Sequence, residues 1–178
     1  MAGAAPVTFA AVLDGASEAT PNNSPGNGHA RVTFDVDAHT MLVNATFAGL
    51  LAGNTAAHIH CCTAAAGTGT IGVATTTPTF TGFPTGATVG SYLHLFDMTL
   101  ATSFNPSYIT ANGGTPGSAE AALFQGMLDG KSYFNIHSSM FPAGEIRGFL
   151  QKVPEPGTLA LLGLGLVGLG LSRRPKAA

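Results

Sequence analysis

The chain has 178 residues, of which only 9% are charged and 45% hydrophobic, with 24 glycines, 11 prolines and a net charge of -2. The length suits one domain and a tail. The charge balance leaves no basic footprint for nucleic acid, and the frequent alternation of apolar with polar residues argues for a folded β-rich domain over disorder. A neutral surface rich in hydroxyl groups suits an exported protein.

In chain order, "VTFAAVLDG" alternates over Val7, Phe9 and Ala11 and ends in the turn signal Asp14-Gly15. "EATPNNSPGNG" reads as a loop. "HARVTFDVDAHTMLVNATFAGL" is the clearest hairpin: Val32, Phe34 and Val36 share one face of the first strand, and Met41, Val43, Ala45 and Phe47 one face of the second. "AAHIHCC" and "TIGVAT" read as two short strands around a glycine-bearing loop. "TPTFTGFPTGATVG" is too broken for a strand, and "SYLHLFDMTL" alternates again. "SAEAALFQGMLDG" reads as the one helix, with Ser118 as N-cap and Gly130 past its end. "KSYFNIH" and "GEIRGFLQ" close the body as strands joined by "SSMFPA". About seven short strands with turns between them predict an antiparallel sandwich or barrel.

The end of the chain is a different kind of segment. Pro154, Glu155 and Pro156 form a rigid extended stretch, because each proline fixes its own φ and biases its predecessor away from helix. The uncharged run Thr158 to Leu171 follows, closed by Arg173 and Arg174. As a helix it would reach roughly 20 Å against a bilayer core of ~30 Å, so snorkelling arginines and local thinning would allow a brief span. The arginines would stay on the cytoplasmic side. The order of motif, glycine-rich apolar span and basic cluster resembles the PEP-CTERM sorting signal from Val153 to the end. That resemblance implies a short transmembrane helix in the inner membrane of a Gram-negative bacterium. It also implies an exosortase-type enzyme that cuts near the Pro-Glu-Pro motif, and release to the cell surface or extracellular matrix. Such proteins start with a secretory signal peptide, whereas "MAGAAPVTFAAVLDG" has no positive n-region, so a trimmed start is expected.

Four pieces of the body combine into a further pattern: "FAAVLDGASEATP", "FAGL" at the hairpin end, "AAHIH", and "GKSYFNIHSSMFPAGEIRGFL". Together they resemble the CHRD domain, first described in chordin, over residues 7 to 152. The expected division is a CHRD domain at 1–152 and the sorting signal at 153–178. The resemblance implies an immunoglobulin-like β-sandwich and no established catalytic activity. In many such domains a glycine follows the second histidine of "HIH"; here it is Cys61.

Alternation along a strand puts His58, His60 and Cys62 on one face and Ile59 and Cys61 on the other. Asn135 and His137 share a face of the late strand, as do Glu145 and Arg147. If the two histidine strands are neighbours, His58, His60 and His137 converge. Three neutral imidazoles suit copper or zinc. The same side chains also fit a structural network in which the histidines bond to Asn135, Glu145 or carbonyls beside a Glu145–Arg147 pair. A catalytic role is a third reading, although no nucleophile motif occurs and the expected class is non-enzymatic. His29, His39 and His94 stand alone. Cys61 and Cys62 are the only cysteines. They can form a vicinal disulfide, an intermolecular bridge, or a buried thiol beside a soft ligand, Cys62. The expected function is therefore an exported surface or matrix module, with a copper- or zinc-binding protein as the alternative.

Overall fold

The computed structural model describes residues 3–154. Eight strands run in chain order: β1 (Val7–Asp14), β2 (Asn27–Asp35), β3 (Thr40–Ala48), β4 (Asn54–His60), β5 (Gly90–Asp97), β6 (Tyr133–Ser138), β7 (Ile146–Phe149) and β8 (Gln151–Lys152). A 3-10 turn (Ala101–Ser103) and helices α1 (Pro106–Ala111) and α2 (Pro116–Leu128) lie between β5 and β6.

All strand pairs are antiparallel and belong to one curled sheet of order β4-β6-β7-β1-β2-β3-β5, a half-barrel rather than two facing sheets. The reason lies in β1. One edge of it pairs along its whole length with β2, and the other is shared, Asp14 meeting Arg147 of β7 while Phe9 and Ala10 meet Lys152 and Gln151 of β8. This central strand joins the early hairpin to the late one, so no separate second sheet forms.

The concave face is the core. Alternate residues of β1 to β3 fill it (Phe9, Leu13, Val32, Phe34, Met41, Val43), joined by Ile59, Phe134 and Ile136. Helix α2 covers one side through Leu123 and Met127, and Phe124 sets its ring against Phe9 and Phe34. The gap between edge strands β4 and β5 is bridged by the long loop after β4. Phe80 of that loop is fully buried against Tyr92, Phe96 and Phe134, and its backbone N–H donates to the Ala57 carbonyl.

Three local expectations change. "TIGVAT" is not a strand: Val73 makes only an isolated bridge to His60, because the segment leaves β4 after binding it through Thr75. Among the described residues there are two α-helices, not one. The second starts at Pro116, with Thr115 as N-cap and Ser118 at the third helical position closing a reciprocal capping box. Proline at the first turn of each helix costs nothing, since its missing N–H would be unpaired there anyway. Among the described residues no helix is long and apolar enough to cross a membrane. The expected span Thr158–Leu171 lies outside the described residues, with Glu155, Pro156, Arg173 and Arg174.

Candidate metal centre

The outer face of the sheet has two characters. Over β1, β2, β3 and β5 it is open to solvent, as at Val12, Leu93 and Leu95. Over β4, β6 and β7 it is roofed by the loops between β1 and β2, after β4, and between β6 and β7. Those strands are consequently buried on both sides, and β4 ends in a run of four buried residues. This roofed face carries the polar constellation.

β4 and β6 are neighbours, with His58 opposite Asn135, His60 opposite Tyr133, and Ala56 opposite His137. The three imidazoles His58, His60 and His137 gather in one place, where each offers one ring nitrogen within 4.8 Å of the others. Each ring uses its other nitrogen on a backbone carbonyl: His58 Nε2 with Pro78 O at 2.5 Å, His60 Nδ1 with Ile71 O at 2.8 Å, and His137 Nδ1 with Pro142 O at 2.9 Å. A carbonyl only accepts, so each of those nitrogens carries the proton. The remaining nitrogens, His58 Nδ1, His60 Nε2 and His137 Nε2, therefore present lone pairs. All three are buried and without a hydrogen-bond partner.

Electrostatics keeps them that way. Burial pulls the pKa of His58 and of His60 down to about 4, against a smaller upward pull from their carbonyl partners. Burial lowers His137 as well. At neutral pH the cluster is three neutral imidazoles, each with one unpartnered lone pair. Carbonyl-anchored tautomers of this kind are how metal-binding histidines are oriented.

Arg147 is one ring away. The Tyr133 ring stacks on His60 at 4.6 Å with 6° between planes, and the Arg147 guanidinium lies 4.9 Å from the centre of the Tyr133 ring. The expected Glu145–Arg147 pair does not form. Arg147 instead donates to Ser17 O (2.5 Å) and Gly69 O (3.1 Å) and sits 3.8 Å from Glu18. Glu145 faces the other way, accepting from Ser24 Oγ and the Leu51 N–H, each at 2.6 Å. Glu145 lies just before β7 and is held by Ser24 and Leu51, whereas Arg147 is held by Ser17, Glu18 and Gly69.

Glu18, buried in the loop after β1, is the functional-site residue that strand periodicity could not find. Burial pushes its carboxyl up to about 7 despite the opposing pull of Arg147. Its Oε1 and the Asn135 Oδ1 are both buried acceptors without a donor. A Cβ on Gly144 would lie 2.6 Å from the first and 2.8 Å from the second. The sequence signal of Glu18 was a lone carboxylate in an otherwise neutral loop, "GASEATP".

Cys62 is not in the cluster. The strand ends at His60, so alternation does not carry to Cys62, and Cys61 and Cys62 are joined to each other. Both sulfurs rest on Gly126 of α2, where an added Cβ would approach each to 2.3 Å, and Tyr108 Oη lies 3.7 Å from Cys62 Sγ. Of the isolated histidines, His39 bonds to the buried Glu120 of α2 at 2.7 Å, and His94 stacks between Tyr92 and Phe96.

The model of the CHRD domain family matches residues 9–150, and the model of the PEP-CTERM protein-sorting motif matches residues 152–174. The chain is a member of the CHRD domain family carrying a PEP-CTERM sorting motif. That motif implies export and processing by an exosortase. No curated protein and no solved structure matches the chain.

Proposed function

We propose that this exported protein is a metal-binding module of the cell surface or extracellular matrix, holding one copper or zinc ion on His58, His60 and His137. The observation that carries the reading is the set of three neighbouring imidazoles, each with one buried ring nitrogen that has no partner and the other committed to a carbonyl. A purely structural network would use both nitrogens of each ring, because an unpaired buried acceptor is destabilising. A metal satisfies all three at once. Bound there, the ion would act as a Lewis acid or as a cross-link between β4 and β6.

The tail is read as an address. In this reading it anchors the chain transiently in the inner membrane with its C-terminus cytoplasmic. An exosortase-type enzyme then cuts near Pro154–Pro156, and the domain proceeds to the surface. The domain itself acts by binding rather than by turnover.

Elemental analysis of the full-length chain, purified in mild detergent without added metal and then titrated with zinc and copper, tests the metal reading. The expected result is one ion per chain, lost in His58→Gln and His137→Gln variants whose circular dichroism is unchanged. Absence of any histidine-dependent ion would refute it.

A further inference from the structure

Ligand type alone does not choose the ion, since imidazole serves zinc and both oxidation states of copper. Three other features of the site do bear on the choice. The first is charge. No thiolate or carboxylate belongs to the cluster, and the groups behind the rings are the neutral carbonyls of Pro78, Ile71 and Pro142. The bound ion therefore keeps its full charge. The cost of taking an ion out of water grows as the square of that charge, so a divalent ion pays about four times the penalty of a monovalent one in the same cavity.

The second feature is the neighbouring cation. The Arg147 guanidinium stands behind the Tyr133 ring that covers His60. Its carboxylate partner Glu18, in the loop after β1, sits 3.8 Å from it. Repulsion from this guanidinium is proportional to the charge of the bound ion, so it weighs twice as heavily on a divalent ion.

The third is coordination number. The site offers three donors, and all three nitrogens are closed to solvent. Zinc(II) and copper(II) take four or more ligands, with an anionic or water ligand completing the set. Copper(I), with its lower charge, is satisfied by three.

Resting on the three-histidine reading above, we propose that the site selects monovalent copper over divalent zinc and copper, a preference imposed by charge and by the closed, three-donor geometry. The recognised chemistry is a soft +1 ion with trigonal nitrogen coordination, so silver(I) should also occupy it.

The test uses the full-length chain in mild detergent at pH 7. Copper(I) is titrated anaerobically with ascorbate in competition with bicinchoninate. Silver(I), zinc(II) and copper(II) are titrated separately against chromophoric chelators of known affinity. The expected result is one copper(I) or silver(I) per chain, bound at least ~100-fold more tightly than zinc(II) or copper(II), the size of gap that a few kcal/mol of added desolvation and repulsion would produce. His137→Gln, at the least buried of the three positions, should lose this binding while keeping the wild-type far-ultraviolet spectrum. His58→Gln provides a second, independent loss. Zinc(II) or copper(II) bound as tightly as copper(I), and still histidine-dependent, would overturn the selectivity while leaving a metal site. No ion bound in a histidine-dependent way would overturn both.

Discussion

Lowering the pH should destabilise this domain through its buried histidines, and Glu18 should hide much of the effect. The folded-state pKa of His58 and His60 is about 4, below the ordinary 6.5, so the unfolded chain takes up protons first. Their stabilising contribution is present above pH 6.5, falls as the pH drops, and is fully lost below pH 4. Between pH 7 and pH 5 each contributes a loss of about 2 kcal/mol, or about 4 kcal/mol for the two. His137 adds in the same direction. Glu18 runs oppositely. Its carboxyl titrates at about 7 rather than 4.5, so its contribution is complete below pH 4.5 and disappears as the pH rises through 7. Moving from pH 7 to pH 5 therefore returns about 2 kcal/mol. The wild-type chain should lose only about 2 kcal/mol, whereas Glu18→Gln, which has no carboxyl to protonate, should lose about 4 kcal/mol. Urea unfolding followed by circular dichroism at pH 7, 6 and 5, with a chelator present, reads both slopes. Equal slopes in the two proteins, or a wild type that gains stability toward pH 5, would refute the assignment of these buried charges.

Gly126→Ala sets a helix-propensity gain of up to ~1 kcal/mol against overlap of the new Cβ with two sulfurs that cannot move far; overpacking of this kind costs ~1–3 kcal/mol, so a net loss is expected in urea melts. Gly144→Ala places a side chain at φ +132° and onto Glu18 and Asn135, so a loss of roughly 2 kcal/mol or more is expected in the same assay. Arg147→Ala leaves Glu18 buried and unpaired at high pH and removes the stack on Tyr133; it should cost about 3 kcal/mol and do so more severely at pH 8 than at pH 6, measured by thermal melts. A bound ion at 100 times its dissociation constant should raise unfolding free energy by about 3 kcal/mol in the wild type and not in His58→Gln, read by calorimetry.

Much of this is legible in the sequence alone. The period-two runs of β1, β2, β3, β5 and β6 are strong because one face of each meets the core and alternation records that directly. The pairing of His58 with His60 on one face follows from the same rule, and motifs contiguous in the chain identify the family and the sorting tail. Alternation failed where its premise failed. Beyond His60 the chain leaves the strand, so Cys62 turns to α2 instead of joining the histidines. "TIGVAT" looked like a strand because its residues fit a pleat, yet it serves as a loop anchored on Ile59 and His60.

What the sequence by itself determined about this protein is its class, its address and the two strands that carry the histidines. Those are properties of local pattern: alternation, turn residues, and motifs contiguous in the chain. Only the tertiary structure decided that β1 binds both halves into one curled sheet, and that β4 lies beside β6 in a register that lets three rings converge. It also decided that Glu18, rather than Glu145, faces Arg147. Each of these depends on which loop roofs which strand, a choice made by long-range packing between residues as far apart as Ser17 and Arg147. The proton on each imidazole is set by a backbone carbonyl, from the loop after β4 for His58 and His60 and from the loop between β6 and β7 for His137, and which nitrogen keeps its lone pair follows from it.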